Sequence, residues 1–242
     1  MKAATPDLLK EATASQPASR PEERRLRMSY EEFLAWSGED THAEWVDGEV
    51  IVHMPPREEH QRIVRFLTHL LGLFARLFEL GRVYFAPFEV RLTPEGPSRE
   101  PDILFVAREH LDRLTPDRLE GPADLIVEVV SPDSVQRDRD QKFREYEAAG
   151  VREYWIVDSR PGRQRADFYR LDEEGRYRLY ATEDDERVAS EVLPGFWLRP
   201  AWLWEEEPPD PLMALAEIRG LSPEAAEMLR QMLITGRPPA ET

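Results

Sequence analysis

Cysteine is missing from this 242-residue chain, which removes disulfides and thiolate metal sites from consideration. Long apolar runs are missing too. Nothing approaches the roughly 18 consecutive apolar residues that span a bilayer, and the first 25 residues lack the apolar core of a secretory signal. The expectation is therefore a cytoplasmic protein with no membrane partner. Positive charge is short as well: 32 Lys and Arg oppose 48 Asp and Glu, for a formal net charge of −16. Between Arg27 and Glu205 there are 24 basic and 37 acidic residues, a balance of −13. Proteins that capture nucleic acid by neutralising phosphates normally present a basic face, so contact with nucleic acid would have to come from a local arginine-lined cleft. The scarcest charged residue is lysine. Only Lys2, Lys10 and Lys142 occur, against 29 arginines.

What is present suits one well-buried domain with appendages. Residues 1–27 are polar, without apolar periodicity, and read as a disordered leader. The domain proper is expected over 28–205. Ser29-Tyr-Glu-Glu32 has the capping-box pattern of a helix start, with the helix running to Trp36. Asp47-Gly48 predicts a two-residue hairpin turn between extended pieces on either side, and Pro55-Pro56 end that unit. Apolar residues from Ile63 to Phe78 recur at helical spacing, predicting a long helix over Glu58–Leu80 with Gly81 as its stop. Strands are expected at Val83–Leu92, Asp102–Val106, Leu125–Val130 and Glu153–Val157, with a second helix over Val135–Ala149. Hairpin strands follow at Asp167–Leu171 and Tyr177–Ala181. After a linker at Pro208-Pro209, residues 206–242 read as a helical hairpin (Leu212–Ile218, Pro223–Ile234) and a polar tail. That hairpin could join two copies into a homodimer or fold back on its own domain. The order predicts a mixed α/β (α+β) fold, a central sheet flanked by helices.

Three residues carry the chemical argument. Leu125-Ile-Val-Glu128-Val-Val130 reads as a strand covered on both faces, with one carboxylate at its centre. A glutamate there needs a cation, an arginine or water to stay ionised. Asp102 follows Pro101 at the head of Ile-Leu-Phe-Val; alone it would pass for a strand-initiating turn residue. Adjacent strands lie about 4.8 Å apart, so Asp102 and Glu128 can reach one hard cation if their strands pair in register, and Mg2+ favours such oxygen donors. Lys142 falls on the next helix, where positions 138, 142, 146 and 149 share a face. An ordinary i,i+4 pair with Asp138 would explain a charge there. It would not explain a lysine where arginine is used everywhere else in the domain. Lysine is a compact point charge able to approach a reacting oxygen. Two carboxylates and a lysine supply what metal-assisted phosphodiester hydrolysis requires.

Pro101-Asp102, Glu128-Val-Val130, the helical lysine and Tyr146…Gly150-Val-Arg-Glu-Tyr-Trp155-Ile-Val-Asp158 together resemble the Uma-two family of putative restriction endonucleases, within the PD-(D/E)xK superfamily. Glu44-Trp-Val-Asp-Gly48-Glu-Val, Met54-Pro-Pro56 and His60-Gln61 extend the resemblance, which covers about 28–204. It implies a restriction-endonuclease-like central mixed sheet, Mg2+ or Mn2+ as cofactor, and DNA as the nucleic-acid partner. It also implies Asp102 and Glu128 as metal ligands, with the Val129 main-chain carbonyl as a third. The superfamily lysine usually stands two residues after the glutamate, where this chain has Val130. Within the family that lysine is thought to have moved to the following helix, which points to Lys142. The early helical glutamate of such sites is matched by Glu44.

Among accessory candidates, His60 reads as a surface or capping residue ahead of a cleft residue, and Tyr146 as core ahead of site. His53 is ambiguous, and the pair His53 and His60 has no third ligand at zinc-like spacing. Two further readings stay open. One is a catalytically inactive nuclease-fold module acting in binding or oligomerisation, which the acidity favours. The other is a two-carboxylate glycosidase, which leaves the lysine unexplained.

Overall fold

A computed structural model describes residues 25–37, 43–52, 57–131, 134–160 and 162–236. The expectations for most of the leader, for His53 and Pro55-Pro56, and for the polar tail fall outside these. The chain opens with β1 (Arg25–Arg27), α1 (Tyr30–Trp36) and the hairpin β2 (Ala43–Val46) and β3 (Glu49–Val52). Residues 25–27, expected in the leader, pair antiparallel with β3. The Ser29 box forms as expected: its side chain accepts from Glu32 N–H while Glu32 accepts from Ser29 N–H. Asp47 and Gly48 both take positive φ, 47° and 83°, the mirror-image turn whose twist suits a tight hairpin.

Next come α2 (Glu58–Leu77), β4 (Gly81–Phe85), β5 (Glu89–Arg91), β6 (Ser98–Arg99), β7 (Ile103–Ala107), β8 (Arg118–Glu120) and β9 (Leu125–Val130). Helix α2 ends three residues short of the expected Leu80. Glu79, not Gly81, takes the left-handed conformation (φ 52°), and Leu80 N–H closes the end on the Ala75 carbonyl. Gly81 is required for another reason: a Cβ there would stand 2.1 Å from the Val106 carbonyl oxygen. The single strand expected over Val83–Leu92 is two strands in different sheets, because Pro87 offers no N–H to a ladder and interrupts the run.

The remaining elements are α3 (Lys142–Ala149), β10 (Glu153–Asp158), β11 (Arg165–Leu171), β12 (Tyr177–Thr182), β13 (Val188–Ala189), β14 (Trp197–Leu198), α4 (Pro211–Ile218) and α5 (Pro223–Thr235). A π-helical turn, Arg137–Gln141, leads into α3.

In place of one central sheet there are two of six strands, both mixed, with orders β1-β3-β2-β6-β5-β8 and β12-β11-β10-β9-β7-β4, and a two-stranded β13-β14. In the second large sheet β9 is flanked by β10 in parallel and β7 antiparallel, so it is interior and buried throughout. Odd positions of β9 pack under α2: Leu125, Val127 and Val129 share a cluster with Leu67, Leu70 and Phe74. Even positions face the opposite layer, where Ile126 and Val130 join Tyr146 and Tyr154. Glu128 is the polar member of that even row. Helix α4 also belongs to the core, since Ala214, Leu215 and Ile218 sit in the α2 cluster and Arg199 ties to Glu217. The C-terminal hairpin therefore divides: its first helix folds back on the domain, whereas α5 has no buried residue. No helix of the described residues is long and apolar enough to cross a membrane.

Candidate active site: a lysine enclosed by carboxylates

The register of the strands decides where the acids meet. Ile103 pairs with Val127 across β7 and β9, so one step further Asp102 stands opposite Glu128. Both reach the end of the strand pair from which the chain leaves β9 towards α3. The π-helical turn and α3 then lay Asp138, Lys142 and Tyr146 along one buried face; π turns are frequent where a helix is bent to a functional task. From the first sheet, β2 contributes Glu44 and β6 contributes Arg99, adjacent through the Trp45–Ser98 pairing. The site is thus built at the junction of both sheets and α3.

Lys142 is its centre. The ammonium lies 2.8 Å from Glu44 Oε1 and 2.8 Å from Glu128 Oε1, with Asp138 Oδ1 at 3.8 Å. Tyr146, one turn on, donates its hydroxyl to Glu128 Oε1 at 2.8 Å. Around this, Arg99 donates to Glu44 Oε2 at 3.0 Å and forks onto both oxygens of Glu145 at 2.7 Å each. The Glu100 N–H also donates to Glu44 Oε1. Asp102, with 19% of its side chain exposed, opens towards solvent. It accepts the Val129 N–H at 2.7 Å and lies 3.2 Å from His60 Nε2.

The electrostatics follow from burial. Glu44, Glu100, Asp102, Glu128, Asp138 and Glu145, six carboxylates, gather round three permanent cations, Arg99, Arg137 and Lys142. Desolvation raises the Glu128 carboxyl, and Asp138, Asp102 and Glu44 add to the rise against the pull of Lys142. Burial, then Glu44, pushes Glu100 up to about 8. Burial acts against the charge on Lys142, but Glu128, Glu44 and Asp138 outweigh it and hold the ammonium protonated. For His60 burial likewise acts against the charge, and Asp102 with the Val129 backbone reverses the balance.

Of the residues singled out in the sequence, Glu44, Glu128, Lys142 and Tyr146 are in direct contact, while Asp102, Val129 and His60 form a second group joined to the first through β9. Glu44 is on a strand, not on the helix the superfamily pattern implies. Sequence reasoning missed Arg99, Glu145 and Glu100, and treated Asp138 as an ordinary surface partner. The polar run Ser98-Arg-Glu-Pro-Asp102 was the available signal for the first and third of these.

Among the described residues no three His, Asp or Glu side chains converge closely enough to clasp one ion; Lys142 lies between Glu44 and Glu128, and His60 pairs with Asp102. In kind the donors fit a divalent cation: oxygen ligands dominate, acid exceeds base, and Asp138 Oδ1 and Glu100 Oε2 are buried without a hydrogen-bond partner among the described residues. A cleft of about 20 Å³ lies beside His60, lined by Arg57, Glu59, Val130, Ser131, Ser159 and Arg160. A second cavity, about 550 Å³ and lined by Arg76, Arg82, Tyr84 and Arg108 among others, opens at the opposite end of β7 and holds none of these acids.

A mixed-sheet domain with an acid-and-lysine cluster at the end of an interior strand belongs to the class of nuclease-like α/β folds. The profile of the Uma2 family, described as putative restriction endonucleases, matches residues 30–201, and the chain belongs to that family. In solved structures it is similar to a putative nuclease belonging to DUF820 from Anabaena variabilis, with a TM-score of 0.58 and 17% identity, over 72% of this chain and 96% of the other. At that identity the likeness speaks for the fold. No curated protein matches the chain.

Proposed function

We propose that this protein is a divalent-metal-dependent endonuclease that hydrolyses phosphodiester bonds in DNA. The observation that carries the reading is the domain's single lysine, buried and held 2.8 Å from both Glu44 and Glu128, with Asp102 beside them. Asp102, Glu128 and the Val129 carbonyl are the residues that would hold Mg2+ or Mn2+. Bound there, the ion supplies a Lewis acid for the phosphoryl oxygen and acidifies water.

The chain's own groups do the rest. Lys142 is fixed as a cation by its carboxylates, so it orients the attacking water and neutralises charge developing on phosphorus; protonated as it is, it does not act as the base. Glu44 and Tyr146 set the position of Lys142 and Glu128, and Arg99 braces Glu44. Arg57 at the adjacent cleft is suited to backbone phosphates, which meets the need for a local basic contact on an acidic protein, whereas Arg160 beside it is forked onto Asp158.

A second reading has a specific observation in its favour. Every acid of the cluster that contacts Lys142 or His60 already has an internal cation, as in a nuclease fold retained for binding alone. Cleavage of supercoiled plasmid with Mg2+, Mn2+ or chelator separates the two. The wild type should cut only with metal, and Asp102→Asn, Glu128→Gln or Lys142→Met should each lower the rate by about 10³-fold or more. Three variants that cut like the wild type sink the site assignment. A wild type that neither cuts nor binds metal leaves the binding module.

A further inference from the structure

His60 is a half-buried group beside the cluster to which the nuclease reading assigns no task. It stands in the first turn of α2, and 13% of its side chain is exposed. Its Nε2 lies 3.2 Å from Asp102 Oδ2 and 3.2 Å from Asp102 Oδ1, so the ring addresses the carboxylate symmetrically. The Val129 backbone meets the same two residues: its N–H donates to Asp102 Oδ2, and it forms a backbone hydrogen bond with the His60 ring. His60 therefore touches two of the three groups suited to hold the ion.

The spacing is informative. Nε2 stands 3.2 Å from each of the two Asp102 oxygens, near enough for all to be ligands of one ion were it bound there. The other ring nitrogen, Nδ1, is buried with no hydrogen-bond partner among the described residues. An ion between Nε2 and Asp102 would take the place of the proton they share. Lys142 cannot fill this role, since it is a protonated ammonium committed to Glu44 and Glu128.

We infer that His60 is a nitrogen ligand of the ion held by Asp102, Glu128 and the Val129 carbonyl, and that it makes the site favour Mn2+ over Mg2+. Mg2+ binds oxygen donors and keeps much of its water, so an imidazole in its sphere gains little. A transition ion accepts imidazole readily. The inference rests on the metal-dependent reading above.

The test is metal binding by the full chain, followed by calorimetry with Mn2+ and Mg2+ and by pulsed electron paramagnetic resonance of the Mn2+ complex. Wild type should bind Mn2+ at least about tenfold more tightly than Mg2+ and show 14N coupling from one imidazole. His60→Gln should lose that coupling and weaken Mn2+ by about tenfold or more, with Mg2+ changed by less than about threefold. Wild-type Mn2+ binding without imidazole 14N coupling, or His60→Gln binding both ions as wild type does, overturns the role of His60 and leaves the metal site standing. If wild type binds neither ion, the metal-dependent reading falls and this inference with it.

Discussion

Replacing Lys142 with methionine should destabilise the metal-free protein in a pH-dependent way. Methionine keeps most of the buried stem and deletes the charge. The deletion leaves Glu44 and Glu128, 0% and 3% exposed, together with Asp138 and without the ammonium that held all three. Breaking a buried ion pair on one side costs about 3–5 kcal/mol. Arg99 still serves Glu44, and Glu128 can take up a proton, so the net loss at pH 8 should be about 2–4 kcal/mol. For a domain of this size that is roughly 5–15 °C in Tm. The Glu128 carboxyl is already raised by desolvation and by Asp138, Asp102 and Glu44; without Lys142 it rises further. A carboxyl raised in the folded state contributes stability fully present below its unfolded pKa and lost as pH rises through the folded value. The penalty should therefore shrink at pH 5 and be full at pH 8. Saturating Mn2+ should stabilise the variant more than the wild type, because the ion no longer competes with an ammonium. Calorimetric melting at both pH values, with and without Mn2+, measures all of this. A variant melting within about 2 °C of wild type at pH 8, or losing equally at both pH values, would refute the claim that Lys142 neutralises this cluster.

Two further outcomes follow from the same structure. Because Glu100 is pushed up to about 8 by burial and Glu44 and Glu128 is raised by burial, divalent ions should bind more tightly as pH rises between roughly 6 and 9 and should release protons on binding. Calorimetry in two buffers of different ionisation enthalpy at pH 7 reads that release, and equal apparent enthalpies would contradict the protonated ground state. Ending the chain after Arg219 should change Tm by less than about 2 °C, since α5 has no buried residue. Ending it after Pro208 removes Ala214, Leu215 and Ile218 from the α2 cluster and should cost about 3–5 kcal/mol; thermal melts of the two truncations that agree would place α4 outside the core.

The features legible in advance were those written within a few residues. Ser29 and Glu32 make their box because both partners lie in one turn. Asp47-Gly48 makes its hairpin because the two positive φ values belong to adjacent residues. Leu125–Val130 was readable as a covered strand from its unbroken apolar run, and the glutamate within it as a residue in need of a cation. Lys142 stood out by scarcity, and the four-residue spacing of Asp138, Lys142 and Tyr146 placed them on one helical face, where they are found.

Tertiary structure decided what depends on register and on which layer covers which. Val83–Leu92 looks uniform locally, yet its halves enter different sheets. Glu44, Arg99 and Glu145 are separated by 55 and 46 residues, and only the β2–β6 pairing and the docking of α3 bring them to Lys142. Asp138 reads as a surface partner in a charged helix and becomes a buried acid because the first sheet covers that face. His60 lies 42 residues from Asp102, and nothing in its own helix announces the contact. Backbone propensity and apolar period are local quantities that a chain carries in its order. Burial of a charge is not, because its energy depends on what the rest of the fold places around it. The sequence alone was thus enough to single out Lys142 by its scarcity, and the packed structure supplied the three acids that give it its charge environment.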